Sequence, residues 1–144
     1  MIRATLDTNI LLRMAAGGAG SQLNQLWHAH KFDLLLSLAT LTEFRTVAAY
    51  PQVQQYVPLS ISRAFDDLLV ARAVLVQPDL TSPTCRDPQD TALIATAVGG
   101  QADFLITADH DLLDDPNLID ALVQRHVKVV RAAEFIASVI RHNG

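Results

Sequence analysis

A single cysteine, Cys85, stands in this chain of 144 residues. No disulfide therefore closes within it, and the stapled framework of a small secreted domain is excluded. One thiol is compatible with a reducing cytoplasm. No apolar run approaches the roughly 20 residues that a membrane-crossing helix needs. The first stretch, MIRATLDTNILL, carries Arg3 inside its apolar pattern and has no small-residue cleavage site, so the expectation is a soluble cytoplasmic protein with no membrane association. Positive charge is also scarce. Eleven Lys and Arg face fifteen Asp and Glu, a net charge of −4, so nothing global attracts a polyanion. Contact with nucleic acid would need a local basic patch or bridging cations. Internal repeats, low-complexity tracts and linkers are missing too. The five histidines show neither metal-ligand spacing nor a nucleophile partner. What remains is half hydrophobic and only 18% charged, the composition of one folded domain, 1–144, with a core of its own.

The patterns alternate between strand and helix. Ile2, Ala4 and Leu6 alternate with Arg3 and Thr5, and Asp7-Thr8-Asn9 then breaks the period, as a first strand ending in a turn does. A helix follows over Ile10 to Ala16, capped by Thr8 or Asn9, and a second runs from Gln22 to Lys31 with Trp27 in the core. Asp33 to Ser37 reads as the second strand. Leu38 to Ala49 has helical spacing with Thr42, Arg45, Thr46 and Ala49 outward. Ser60 to Arg72 is helical with Ile61, Ala64, Phe65, Leu68 and Leu69 inward. Residues 52–58 carry no clear pattern. Ala73 to Val76 is the third strand, 77–84 a loop, Phe104 to Ile106 the fourth strand, and Val127 to Val130 the fifth. Helices from Gln89, from Asp115-Pro116 and over Ala132 to Arg141 separate or follow them. Short apolar strands divided by helices imply a parallel sheet covered on both faces.

Acids punctuate this frame. Asp87-Pro88-Gln89-Asp90 suits an N-cap, a first-turn proline and a dipole-favoured acid. For Asp87 capping is the simpler role; for Asp90 a capping role and a site role weigh equally. Asp109 and Asp111 follow the fourth strand, where one can cap a short helix around His110 to Leu113. Asp7 is compatible with an Asx-type turn. Glu43 alone lacks a structural explanation. It shares a helix face with Ala39, Thr40 and Val47, and a carboxylate aimed at a sheet needs a partner because desolvating an ion costs several kcal/mol. Taken together, Asp7, Glu43, Asp90 and Asp109 converge if strands one and four are neighbours. Four crowded carboxylates repel unless cations neutralise them, and oxygen ligands favour Mg²⁺ or Mn²⁺.

The patterns LDTNILL, TLTEF and DPQDTALIATAVGGQADFLITADHDLL resemble the PIN domain, specifically the VapC-like toxins of toxin–antitoxin systems. The resemblance covers nearly the whole chain. It implies a three-layer α/β/α sandwich on a parallel sheet of about five strands, ordered 3-2-1-4-5. It further implies a metal-dependent endoribonuclease whose metal and catalytic residues are Asp7, Glu43, Asp90 and Asp109, binding Mg²⁺ or Mn²⁺. Asp111 and Asp87 are second-tier acids, and Thr8, Asn9 and Thr107 orient the carboxylates. Ala108 departs from the glycine common in such relatives. RNA as substrate, a cognate protein antitoxin and a homodimer are the implied partners.

Two other readings compete. A catalytically silent PIN-like module that binds or regulates a partner would be marked by loss of an acid, and all four are present. A phospho-accepting receiver domain would want paired acids after strand one and an aspartate after strand three, where this chain has Gln77-Pro78. Arg45 and Arg86 are near enough to the acids to hold a phosphate, although a solvated or helix-pairing role suits each of them first.

Overall fold

A computed structural model describes residues 1–143. In chain order it runs β1 (Arg3–Leu6), α1 (Thr8–Gly17), a 3₁₀ turn (Gly18–Gly20), α2 (Gln22–His28), β2 (Asp33–Leu36), α3 (Leu38–Ala48), α4 (Pro51–Gln54) and α5 (Leu59–Arg72). It continues with β3 (Val74–Leu75), α6 (Pro88–Gly99), β4 (Phe104–Ile106), α7 (His110–Leu113), α8 (Pro116–Gln124), β5 (Lys128–Val130) and α9 (Ala132–Asn143). The five strands form one sheet in the order β3-β2-β1-β4-β5, and every pairing is parallel. The α/β/α expectation and its strand order are both realised.

The pleat distributes the apolar residues between two cores. Leu34 and Leu36 of β2 and Ile106 of β4 face a cluster with Ile10, Leu11, Trp27, Phe44, Phe65 and Phe135. Leu35 and Leu105, one residue out of phase, face the opposite cluster with Leu93, Ile94, Ala97, Leu118 and Leu122. A period of two thus loads both faces. On the first face the Phe135 ring stands edge-on to Phe32, with centroids 5.0 Å apart, and 5.4 Å from Phe104, which locks α9 to the sheet.

Three helix-to-strand joints share one device. Lys31 N–H bonds the Leu26 carbonyl, Ala102 the Ala97 carbonyl and Val127 the Leu122 carbonyl, each across five residues. The residue before each donor, His30, Gln101 or His126, has φ between 55° and 65°, as the Schellman closure requires. This is why α2 stops at His28, short of Lys31. Although Gly99-Gly100 follow the apolar run of α6, neither supplies the left-handed residue of this joint, which is Gln101. Gly99 instead lets the loop after β3 cross close by, since a Cβ there would lie 2.7 Å from the Asp79 amide nitrogen.

Other boundaries shift for physical reasons. The cap of α1 is Asp7, not Thr8 or Asn9, because its Oδ1 accepts the Asn9 N–H at 2.8 Å. β3 keeps two of its four expected residues, pairing only with β2 at the sheet edge. In α5 the buried stripe is Ser62, Phe65 and Leu69, whereas Ile61 and Ala64 are exposed. Ser62 can face inward because its hydroxyl bonds the Leu59 carbonyl at 3.1 Å. Residues 52–58 begin inside α4, which starts at Pro51, and bury Val53 and Val57.

Candidate metal centre

Two helices carry Glu43 and Asp90, and a buried hydroxyl network ties them together. Ser37 caps α3 in a reciprocal box with Thr40. Its hydroxyl also lies 2.7 Å from that of Thr96 on α6. Thr96 spends its own proton on the Ala92 carbonyl, so Ser37 is the donor across the gap. All three side chains are buried. Thr96→Val leaves the Ser37 proton without its acceptor and should cost about 1–3 kcal/mol, read as a lower denaturant midpoint at unchanged slope.

The β1–β4 adjacency assembles the other half. Thr107, fully buried, donates its hydroxyl to Asp7 Oδ2 at 2.7 Å and accepts the Asp109 N–H at 3.0 Å. One threonine thus orients the backbone of one acid and the side chain of the other. Asp109 Oδ1 accepts the Asp111 N–H and caps α7, and Asp87 caps α6 through the Gln89 N–H. Ala108 needs no positive φ, so the turn that carries Asp109 forms without glycine.

The four first-rank acids line a single cavity of about 520 Å³ with Asp87, Thr8, Asn9, Arg13, Gln89 and His110. It opens beyond the carboxyl ends of β1 and β4. There the strand order reverses, the position at which open α/β sheets bind ligands. Asp111 lies elsewhere. It lines a smaller neighbouring cavity of about 100 Å³ with Cys85, Arg86, Asp87, Asp90 and Asp115. Arg45 is likewise drawn off, its guanidinium forming a fork on Asp66 of α5 at 2.7 and 2.9 Å.

Crowding marks the acids electrostatically. Burial, then the charges of Asp109 and Asp87, push Asp90 up to about 7, and Asp109 further favours the protonated form by accepting a hydrogen bond from it. Glu43 is also raised, first by burial, with the Thr8 hydroxyl opposing and the charges of Asp7 and Asp87 adding. Among the described residues, no three acid, histidine or cysteine side chains already stand in ligating geometry around one point. The donor set nonetheless fits a hard divalent cation. It is all oxygen, it carries excess negative charge, and its carboxylates are half-buried.

Fold and site together define a class: a three-layer α/β protein with a carboxylate-lined crevice at the switch point of its sheet. A family model for the PIN domain matches residues 3–111, and the chain belongs to that family. The matched segment contains every acid of the cavity. Among solved structures, a chain in the crystal structure of VapBC2 from Rickettsia felis bound to a DNA fragment from their promoter is similar. The TM-score is 0.59 over 90% of this chain and 98% of that one, at 14% identity, a likeness of fold. Compared by sequence with curated proteins, the chain finds no match. No helix among the described residues is long and apolar enough to cross a membrane.

Arg13 and Gln89 are the cavity residues that sequence reading missed. A signal existed for the first: Arg13 follows Asn9 by four residues on α1, the spacing that puts two side chains on one helix face.

Proposed function

We propose that this chain, as a single nuclease domain, hydrolyses RNA phosphodiester bonds as the VapC-like toxin of a toxin–antitoxin pair, using Mg²⁺ or Mn²⁺. The observation that carries the reading is the convergence of Asp7, Glu43, Asp90 and Asp109 from four separate elements on one cavity. Membership of the PIN family and the VapBC2 likeness support it. A divalent ion bound there would neutralise the carboxylates, lower the pKa of water and stabilise charge developing on phosphate oxygens.

Asp7, Glu43, Asp90 and Asp109 would hold the ion. Thr107 keeps Asp7 and Asp109 in register, and the Thr8 hydroxyl favours the ionised form of Glu43. Asp7 or Asp109 would take the proton from an attacking water. Unpaired, single-stranded RNA suits an open cavity. A protein antitoxin that covers the acidic mouth and a homodimer complete the proposal.

The test is cleavage of single-stranded RNA by purified protein with Mn²⁺, with EDTA, and with EDTA followed by excess Mn²⁺. Activity should disappear on chelation and return on readdition. Cleavage that persists in EDTA would overturn the metal-dependent reading and bring forward the partner-binding module.

A further inference from the structure

An acidic protein that acts on a polyanion gains from a cation of its own beside the bridging metal, and the arginines can be sorted by what they already hold. Arg3 donates to the Gly100 carbonyl, Arg45 to Asp66, Arg72 to His28, Arg125 to the Thr81 carbonyl with Asp79 close by, and Arg141 to Ser138. Among the described residues Arg13 has no such partner, and it lines the cavity that holds the acids. Arg86 lines only the side cavity. The other cavity wall that can carry positive charge is His110, whose Nδ1 sits 2.9 Å from Asp114.

Arg13 is exposed on α1, one turn beyond Asn9, which lines the same cavity. At 1.5 Å per residue it lies about 9 Å along the helix from Asp7. From there Arg13 lines the cavity of the acids without an ion pair to any of them among the described residues. A planar guanidinium with all its donors uncommitted suits a phosphate's two oxygens.

We propose that Arg13 binds a phosphate of single-stranded RNA next to the one being cleaved, and so sets how the strand crosses the metal centre. This rests on the nuclease reading above and adds a positioning residue to it. The test uses Asp7→Asn protein, which should hold RNA without cutting it, and a fluorescein-labelled single-stranded RNA followed by anisotropy across a KCl series with Mn²⁺ present.

Adding Arg13→Gln should weaken binding about tenfold at low salt and reduce the slope of log affinity against log salt by about 0.7, the loss of one phosphate contact on a single strand. Arg13→Lys should keep the slope and recover part of the affinity, which also separates charge from folding. Arg63→Gln, an exposed site on α5 outside the cavity, should leave the slope unchanged. An unchanged slope in Arg13→Gln would overturn the assignment while leaving the nuclease reading to the cleavage assay. No RNA binding by the Asp7→Asn parent, with no cleavage by the natural protein, would overturn both.

Discussion

Asp7→Asn should abolish RNA cleavage, by on the order of 100-fold or more, while the protein stays folded. The size follows from what the carboxylate does at the site. A bound cation contributes several kcal/mol of transition-state charge stabilisation, and each 1.4 kcal/mol lost is about tenfold in rate. The preserved fold follows from what the same side chain does locally. Asp7 caps α1 by accepting the Asn9 N–H, and asparagine caps a helix about as well as aspartate. Its second oxygen accepts the Thr107 hydroxyl, a rotor that can turn to suit an amide. The measurement pairs initial cleavage rates with thermal unfolding of the same preparation. Undiminished cleavage in a folded variant would sink the proposed mechanism.

Asp90→Asn should reverse the order of stability with metal. The Asp90 carboxyl protonates near 7 in the folded chain, against about 3.9 for an aspartate in an unfolded one. Between these values the folded state binds the extra proton, so stability falls as pH rises from about 4 to about 7 and stays low above. Asparagine removes that loss and retains a donor toward Asp109. Solvent still reaches Asp90, and screening brings the gain to the order of 1–2 kcal/mol, a Tm higher by about 3–8 °C. The gain should be present in EDTA at pH 8 and absent near pH 4.

Millimolar Mn²⁺ should then raise the Tm of the natural protein at pH 8 by mass action and scarcely move the variant. Differential scanning fluorimetry across pH, with and without metal, reads both effects. A variant no more stable than the natural protein in EDTA at pH 8 would show that these carboxylates are not in conflict. A variant that gains as much from Mn²⁺ would show that Asp90 is not a ligand.

The two substitutions expose different sides of one arrangement. Asp7 is held by hydrogen bonds that also serve the fold, so replacing it costs chemistry and little else. Asp90 has burial and like charges around it and no ion pair among the described residues, so its ionised form costs stability until a metal cation arrives. Sites of this kind trade fold stability for binding.

Much of this was decided within short windows of sequence. The strand and helix periods, the Asp87-Pro88 and Asp115-Pro116 helix starts and the oddity of Glu43 on an inward face all depend on neighbours within a few residues. Strand adjacency, helix rotation and the commitments of long side chains do not. Thr107 meets Asp7 only because β1 and β4, about a hundred residues apart, pair in register. The turn around α7 sends Asp109 into the main cavity and Asp111 to the side one. Arg45 is lost to Asp66, and Arg13 enters the site, because α5 and α1 happen to present those faces. The sequence by itself therefore determined the elements and the acids, since backbone preference and hydrophobic period are local. Only the tertiary structure decided which charges share a cavity, because that depends on contacts between residues far apart in the chain.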